Sequence, residues 1–562
     1  MIQAGTKDVY GMEPENRIGE LEQKGDFMKK RRVSALCVMG ALLMVLSGCG
    51  TAGTGAGVSS SVETMADGEQ SGASAAGTED AKDSSENTEI NQQEEAEQDP
   101  EGENEQGADE AVTPIHITLI SSDMNRWNSE TYQTELEYST FSVRVSEEDQ
   151  GDWPELSDAL AQEQKSESED GKKAIQTLSD DYAQLLKSAD ASDFPNGISS
   201  HTKGTVLRAD SRVVSIRTDS DDYLGGAHGD YVTVGQNYDA QTGKSLALSD
   251  VLQDEKRFRE LLAVDFRVQN EDILDGLTVD LDSYVNSLNF EDSSVAWTID
   301  NEGVNVYFPL YELGPYAMGA PMVRIRFEEE PDVFAEYYRK VSDAGYVIPF
   351  TESISADVNH DGTLEEISLE SEANGDYDEK VILQIGDRRV DVDDYAFDAD
   401  AYLICADGSW YVYVFTRHEN DYTQLYVVNA ADGTCDQERS ADLTVPAEFS
   451  SWWTEDNENW SSTWQMGFTD PAHFHLGERT DLLGTGTVYR AYAVDGDGYP
   501  VSDEPYFFSA SSYALKALKD IPCQLVDQEG NVTGDGVIPE GSFVHVLRTD
   551  NDSVCDLQEV DA

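Results

Sequence analysis

The chain of 562 residues has 112 Asp and Glu against 37 Lys and Arg, which gives a formal net charge of −75. A surface this negative makes nucleic acid and anionic lipid headgroups poor partners. The length exceeds that of one compact domain, so about two to four domains are expected. The charge could serve solubility alone, and it also favours encounter with cationic proteins and retention of divalent cations.

Residues 28–49 show the ordered features of a bacterial lipoprotein signal. A basic cluster after Met28 is followed by an apolar run from Val33 to Val45 and by the lipobox Leu46-Ser47-Gly48-Cys49. The run is too short to cross a hydrocarbon layer of about 30 Å. The pattern predicts removal of residues 28–48 and lipidation of Cys49, hence a chain anchored on the extracellular face of the cell membrane. An ordinary signal peptide with an incidental Cys is the alternative.

Two flanking segments have no globular pattern. Residues 1–27 fit neither a signal nor a domain, so Met28 is the expected translation start and residues 1–27 are expected to be a wrongly assigned upstream extension. Residues 49–112 are rich in Gly, Ala, Ser and Glu, with Lys82 as their only basic residue. Such a segment cannot bury enough apolar surface to offset chain entropy, which predicts a disordered acidic tether.

Residues 113–345 mix strand and helix patterns, which indicates an α+β fold in two modules, 113–205 and 206–345. Apolar periodicity predicts strands and helices in this region. The predicted strands are 115–119, 138–145, 205–218, 231–238, a hairpin at 297–306 that turns at Asn301-Glu302-Gly303, and 322–327. The predicted helices are 174–187 and one carrying Phe258, Leu261, Leu262 and Phe266.

Three motifs in this region resemble a known family. They are GGAHGD at 225–230, YDAQTGKSLALSDVL at 238–252 and PLYELGPYAMGAPMVRI at 309–325. In order and spacing they resemble the extracytoplasmic domain of the RsiV family, a domain of unknown biochemistry that also precedes the catalytic domain of the PdaC peptidoglycan deacetylase. Residues 132–190, with Trp153-Pro154 ahead of a helix, resemble the module that usually comes before it.

The resemblance implies a binding role. In the anti-sigma factor of this family the domain binds lysozyme, a strongly basic enzyme, as the signal for regulated proteolysis. Here the expected lipobox stands in place of a transmembrane helix, and no sigma-binding segment is seen, so anti-sigma activity is not implied. The paired Asp and His-x-x-x-His metal motif of the deacetylase is also missing. Lysozyme or peptidoglycan is the partner that the resemblance implies.

His228 lies between glycines in a predicted loop. A catalytic role would need a Ser or Cys partner in a recognisable context, and no Gly-x-Ser-x-Gly elbow accompanies it. We therefore expect a structural role, in which the imidazole satisfies nearby carbonyls, and no catalytic residue is assigned. Tyr311, Pro315 and Tyr316 are likewise expected to serve packing and turns.

The second region, 346–510, begins with a metal-binding pattern. In Asp-x-Asn-x-Asp-Gly, oxygen ligands alternate and Gly allows a sharp turn, as a hard cation such as Ca²⁺ requires. The predicted Ca²⁺ ligands are Asp357, Asn359, Asp361, Thr363 through its carbonyl, and Glu365. Ser368 stands where an EF-hand has a bidentate Glu, so the expected affinity is weak, on the order of 10⁻⁴–10⁻³ M. A metal-free turn is the alternative.

The rest of this region predicts a β-rich domain, with a turn at Ala406-Asp407-Gly408 and strands at 367–369, 381–385, 402–405, 410–416 and 425–428. Four Cys in an exported chain allow three pairings, and the meander favours Cys405–Cys435. Trp452, Trp453, Trp460 and Trp464 could stack on sugars, although such side chains more often cover a β core. His473 and His475 lie on one face of a strand near Asp470 and Glu478, but this pair lacks a third ligand and is taken as incidental.

The last region, 511–562, resembles a small bacterial Src-homology-3-like β-barrel. In such barrels the first and last strands are neighbours, which would bring Cys523 to Cys555. The chain is thus expected to be a calcium-stabilised, lipid-anchored cell-surface binding protein for an envelope or host partner such as a cationic lysozyme, and not an enzyme. The rival is a cell-wall hydrolase or a deacetylase accessory protein, with His228, His473 and His475 as its best residues.

Overall fold

The computed structural model describes residues 2–5, 12–14, 111–187, 197–225, 228–350, 353–374, 378–419, 422–453, 458–483, 486–510, 514–527 and 531–560. The predicted signal of residues 28–48, Cys49 and the tether up to residue 110 lie outside these ranges. Among the described helices, none combines the length and apolar character needed to span a membrane.

The described chain is dominated by strands. In chain order they are β1 (Ile2–Gly5), β2 (Met12–Pro14), β3 (Ile117–Trp127), β4 (Thr134–Val145), β5 (Ile198–Ala209), β6 (Val213–Tyr223), β7 (Asp230–Asp239), β8 (Ala296–Ile299), β9 (Gly303–Tyr307), β10 (Met322–Arg326), β11 (Gly345–Phe350), β12 (Ser353–Ala356), β13 (Glu365–Asn374), β14 (Asp378–Ile385), β15 (Arg388–Ala396), β16 (Asp398–Ala406), β17 (Ser409–Arg417), β18 (Thr423–Asn429), β19 (Ala447–Trp453), β20 (Glu458–Met466), β21 (Phe474–Thr480), β22 (Gly486–Val494), β23 (Pro500–Val501), β24 (Phe507–Ser509), β25 (Leu515–Ala517), β26 (Ile521–Val526), β27 (Val532–Ile538), β28 (Phe543–Thr549) and β29 (Val554–Val560). The α-helices are α1 (Pro154–Leu185), α2 (Leu248–Val251), α3 (Glu255–Gln269), α4 (Leu281–Ser287) and α5 (Glu336–Arg339).

The first sheet has the order β19-β20-β3-β4-β5-β6-β7. Its strands are antiparallel except for the pair β4 and β5. The single strand predicted at 205–218 is two strands, because Asp210 Oδ1 accepts the backbone N–H of Arg212 and Val213 at 2.8 and 3.2 Å and so forms a tight turn. The module boundary expected at residue 205 falls inside β5. Strands from distant parts of the sequence therefore share one sheet.

Helix α1 covers one face of this sheet and is longer than predicted. Leu156, Leu160, Ile175, Leu178 and Tyr182 are its buried apolar residues. Between Leu160 and Gly171 the positions facing the sheet carry polar side chains such as Glu163 and Glu167, which contribute with Phe141 and Tyr238 to a small cavity. Apolar periodicity is therefore interrupted in the first half of the helix, and the sequence pattern predicted a helix only from residue 174 onward.

The three-stranded sheet β10-β9-β8 forms a compact core with α3 and α4. Phe258, Leu261, Leu262 and Phe266 are buried in this core, as the sequence predicts. The predicted hairpin at 297–306 is confirmed, since Ile299 pairs with Val304. Gly235 allows β8 to lie against the first sheet, because a Cβ atom there would be 1.6 Å from the Trp297 carbonyl oxygen.

The sheets β11-β16-β17-β18 and β12-β13-β14-β15 contain the strands that the sequence predicts from 346 to 430. Their facing side chains share one core, which includes Ile348, Ile367, Leu383 and Val412. The strands β16 and β17 are joined at Asp407 and Gly408, whose φ angles are 48° and 74°. Such positive values at both turn residues are typical of a tight hairpin.

The last sheet contains eleven strands, with the main path β21-β22-β24-β28-β29-β1-β26-β27. No sheet in the described ranges closes into a barrel. The predicted Src-homology-3-like barrel is therefore wrong: strands of 511–562 extend a sheet that also includes β21, β22 and β24, instead of closing on themselves.

Both predicted disulfides are contradicted, because Cys405, Cys435, Cys523 and Cys555 are free thiols. Leu403, Val412, Val428 and Cys435 lie side by side on successive strands. Three spacings of about 4.8 Å between neighbouring strands separate the Cα atoms of Leu403 and Cys435 by about 14 Å. Cys405 is on the same strand as Leu403, so it is also beyond the Cα separation of a disulfide.

The second pair is separated in the same way. Strand β1, from the segment that the sequence placed outside any domain, lies between β26 and β29, which contain Cys523 and Cys555. Burial raises the pKa of Cys405 and of Cys435 to about 11. Both thiols are therefore protonated and poorly reactive at neutral pH.

Candidate functional site

A large cleft of 930 Å³ lies where the first sheet, the three-stranded sheet and the β-rich sheets meet. Phe141 and Thr205 line it from the first sheet, Tyr307 and Arg324 from the three-stranded sheet, and Tyr402 from the β-rich half. Clefts of this size at the junction of structural units are the usual location of ligand sites. It is the principal candidate site of the described chain.

Three aromatic side chains lie together at this cleft. They are His228, Tyr311 and Tyr316, and we call them the aromatic platform. The His228 ring is stacked on Tyr316, with centroids 4.1 Å apart and planes at 23°. Tyr311 lies 5.8 Å from Tyr316, and Tyr316 also lines the cleft. The platform brings together two of the three motifs that carry the family resemblance, GGAHGD and PLYELGPYAMGAPMVRI.

The backbone at Tyr311 is strained. Its φ is +67°, and its side chain is exposed, with 56% of its surface accessible. A bulky residue in the left-handed region costs about 1–3 kcal/mol and persists where the surroundings enforce it, often at functional sites. This strain in an exposed tyrosine supports a role in binding in addition to the packing role that the sequence predicts.

The cleft carries both cationic and acidic side chains, and its arginines are paired with carboxylates. Its charged lining residues are Lys203, Arg217, Arg324, Arg417, Asp300 and Asp400. Arg324 donates to Asp300 at 2.8 Å and Arg417 to Asp400 at 2.7 Å. Lys203 is exposed on β5. An acidic exterior thus surrounds a cleft in which the arginines are held by carboxylates and Lys203 is exposed.

The structure places His228 as the sequence predicts. Its Nδ1 is 2.9 Å from the carbonyl oxygen of Gly229, and the ring is exposed. The imidazole therefore satisfies a carbonyl while presenting one face to Tyr316. Its stacking on Tyr316 was not foreseen, because the two residues are far apart in the sequence.

The predicted calcium loop is held together by hydrogen bonds among its own residues. Asp357 accepts the backbone N–H groups of Asp361 and Gly362 at 3.1 and 2.9 Å. Glu365 accepts the Asn359 amide at 2.6 Å. Asp361 accepts Thr363 N–H at 2.8 Å, and these bonds from Thr363 lower the pKa of Asp361. The loop holds its oxygens on one turn, and Ca²⁺ binding there stays a prediction.

A cluster of histidines lies elsewhere in the described chain. His116 and His473 have ring centroids 5.0 Å apart, and His475 is 5.3 Å from His473. Glu148 lies between the first two, 3.6 Å from His116 Nδ1 and 3.9 Å from His473 Nε2. The sequence singled out only His473 and His475. It missed the other two residues because 116, 148 and 473 meet only through tertiary structure.

Other predicted site residues have structural partners. Glu478 is 3.2 Å from the Tyr492 hydroxyl. Trp460 packs against the apolar cluster under α1, and the Arg144 guanidinium lies 4.3 Å over the Trp464 ring. These contacts favour the core-covering role over sugar stacking for Trp460. The side chains of Trp452 and Trp453 lie outside the described residues.

Residues 255–328 match a family described as "Protein of unknown function (DUF3298)". Two solved structures of this family are similar to the chain. A member from Bacteroides fragilis NCTC 9343 shares 19% identity over 40% of this chain and 96% of its own, with a TM-score of 0.31. One from Pseudomonas aeruginosa PAO1 shares 20% identity over 41% and 98%, with a TM-score of 0.28. No curated protein matches the chain.

A domain of unknown function is thus shown at 255–328, a range that includes Tyr311, Tyr316 and Arg324. The RsiV assignment stays a prediction.

Proposed function

We propose that this chain is a lipid-anchored binding protein on the outer face of a bacterial plasma membrane, which recognises an envelope or host partner such as a cationic lysozyme. The observation that carries the proposal is the aromatic platform at the cleft, formed by the RsiV-like motifs. Exposed tyrosines supply large contact area at low conformational cost, and they are enriched at the energetic centres of interfaces.

Charge supports a basic protein partner. A net charge of −75 attracts cationic proteins over long range and accelerates their encounter, and salt weakens this attraction. A basic partner would therefore be steered by the acidic exterior and anchored at the platform. Lysozyme is the partner that the family resemblance implies.

The binding test uses immobilised lysozyme and the full mature chain at low and moderate salt. We expect saturable binding whose on-rate falls with salt. The Tyr316→Ala variant should bind at least about tenfold more weakly, as for a central aromatic contact. Tyr395→Ala, which removes an exposed tyrosine on β15, is the matched control and should bind like the wild type. No saturable binding at either salt concentration would remove the lysozyme proposal.

The exposed side chains of Lys203 and Arg417 in the cleft favour a second candidate, a peptidoglycan-derived ligand with carboxylates. Lys203 and Arg417 could contact such groups, while Tyr402 could stack on sugar rings. Binding of purified muropeptides should then weaken several-fold in Lys203→Gln, a change that leaves lysozyme binding intact. Turnover of the muropeptides, with or without chelator, would instead support the rival cell-wall enzyme.

Anchoring is tested separately. Mass spectrometry of protein from its native cells should find Cys49 as a diacylglyceryl-modified amino terminus. An unmodified terminus upstream of Cys49 would remove the membrane location from the proposal and leave the binding role to be judged by the lysozyme experiment.

A further inference from the structure

We propose that His116, Glu148 and His473 form a binding site for a zinc-class divalent transition metal. One ring nitrogen of each histidine and one carboxylate oxygen of Glu148 all lie within 4.8 Å of one another. Two imidazoles and a carboxylate are the ligand types that such ions prefer. The site is distinct from the cleft and does not depend on the proposed function.

The geometry is close to what the metal needs. Zinc lies about 2.0–2.2 Å from nitrogen and oxygen ligands in a tetrahedral arrangement, which puts two ligand atoms about 3.3 Å apart. His473 Nε2 is 3.9 Å from Glu148 Oε2, and the ring centroids of His116 and His473 are 5.0 Å apart. Glu148 and His473 each have 43% of the side chain exposed. Both side chains are accessible enough to rotate toward a bound ion.

The orientation of His116 supports its role as a ligand. Asp149 Oδ2 accepts the backbone N–H of His116 at 2.7 Å and lies 3.0 Å from its Nδ1. Because an ionised carboxylate can only accept, Nδ1 holds the proton and Nε2 keeps its lone pair. Nε2 is buried and has no hydrogen-bond partner. A carboxylate that orients a histidine in this way is the usual support of a metal-binding imidazole.

Asp470 is positioned to supply a fourth ligand. Asp470 Oδ2 is 4.0 Å from His116 Nε2, and its other oxygen accepts Ala472 N–H at 2.8 Å. Asp470 and His473 precede β21, whereas His116 and Glu148 flank β3 and β4. The ion would therefore connect the start of the first sheet to the start of the last sheet, which are more than 300 residues apart in the sequence.

The test is Zn²⁺ titration of the full chain in excess Mg²⁺, which occupies the surface carboxylates, with Co²⁺ absorption as a report of coordination. We expect one tight ion per chain. Glu148→Gln and His473→Gln should each weaken Zn²⁺ binding by at least about 100-fold, and Asp149→Asn by about 10–100-fold as a positioning residue. His545→Gln, a histidine on β28, is the matched control and should not change affinity.

Circular dichroism of each variant checks that it is folded, which is expected because Glu148 and His473 are partly exposed. His475→Gln separates this site from the histidine pair on β21 and should change affinity less than threefold. Zinc binding that is absent in the wild type, that survives both ligand substitutions, or that is lost in His475→Gln but kept in Glu148→Gln would overturn the proposal.

Discussion

The side chain of Arg208 shows how one buried charge connects two parts of the molecule. It is fully buried and lies 2.7 Å from Asp210 Oδ2. Its guanidinium also donates to the carbonyl oxygens of Tyr338 and Lys340, each at 2.7 Å. The residue thus ties β5 to the segment after the three-stranded sheet and satisfies two carbonyls that burial removes from water.

Replacing Arg208 with Met should destabilise the fold by about 3–5 kcal/mol, because Asp210 would be left buried without its cation. Urea unfolding measures this free energy. Arg389→Met is the matched control, since Arg389 pairs with Glu372 at 2.8 Å on the surface, and exposed pairs contribute little. Equal stability of the two variants would contradict the role assigned to Arg208.

Helix α1 contains a carboxyl group, that of Glu167, whose protonation should affect the free energy of unfolding. Burial, followed by repulsion from Glu163, raises the pKa of Glu167 from 4.5 to about 8. Tyr238 faces the same small cavity. The folded state therefore holds a proton that the unfolded chain releases at lower pH. Stability should fall as the pH rises from about 4.5 to about 8.

Glu167→Gln should remove this pH dependence. The difference between variant and wild type should grow by on the order of 2 kcal/mol between pH 5 and pH 8, as measured by urea unfolding. Glu169→Gln, on the exposed side of the same helix, should keep the wild-type profile. An unchanged slope in Glu167→Gln would show that the carboxyl is ionised and solvated.

The loop between β12 and β13 yields a metal prediction. Addition of about 10 mM Ca²⁺ should raise the unfolding temperature by roughly 1 to 3 °C, and chelator should reverse the change. Asp357→Asn should abolish the response. Asp432→Asn, in another Asp-Gly turn where Asp432 accepts Thr434 N–H at 2.9 Å, should retain it. A response that persists in Asp357→Asn would place the calcium elsewhere.

Local patterns were sufficient for the hairpins between residues 297 and 430. The alternation of large apolar residues predicted β16 and β17, and Asp407-Gly408 predicted their turn, because both signals depend only on neighbouring residues. Apolar periodicity did not predict the first half of α1, because Glu163 and Glu167 occupy inward positions where an amphipathic helix normally has apolar side chains. Burial of these acids is decided by the sheet above them, which the local sequence does not encode.

The candidate sites were predictable only in part. The calcium pattern is contiguous, so residues 357–365 were found from spacing alone. The aromatic platform and the His116–Glu148–His473 cluster combine distant segments, so no spacing rule identifies them. The disulfide predictions were wrong for the same reason. Whether Cys405 and Cys435 lie close together depends on how many strands separate them, and two strands, β17 and β18, lie between them.

At the scale of the whole molecule, the hairpin of β19 and β20 completes the first sheet. β20 pairs along β3 from Met466 opposite Thr118 to Glu458 opposite Arg126. A fragment of residues 113–345 would lack this hairpin and expose the edge of β3, which favours aggregation. We expect this fragment to lack a cooperative thermal transition, whereas residues 113–510 should show one. A soluble, cooperatively folded 113–345 fragment would contradict the expectation.

The pairing of β3 with β20 also affects the order of events during synthesis. Ser122 and Ser462, which are hydrogen-bonded across this pair, are 340 residues apart. At about 5–20 residues per second, β20 emerges roughly 20 to 70 s after β3. Throughout that interval the nascent chain has one strand edge without its final neighbour, so its maturation outside the ribosome should depend on a holding factor or on late, post-translational closure.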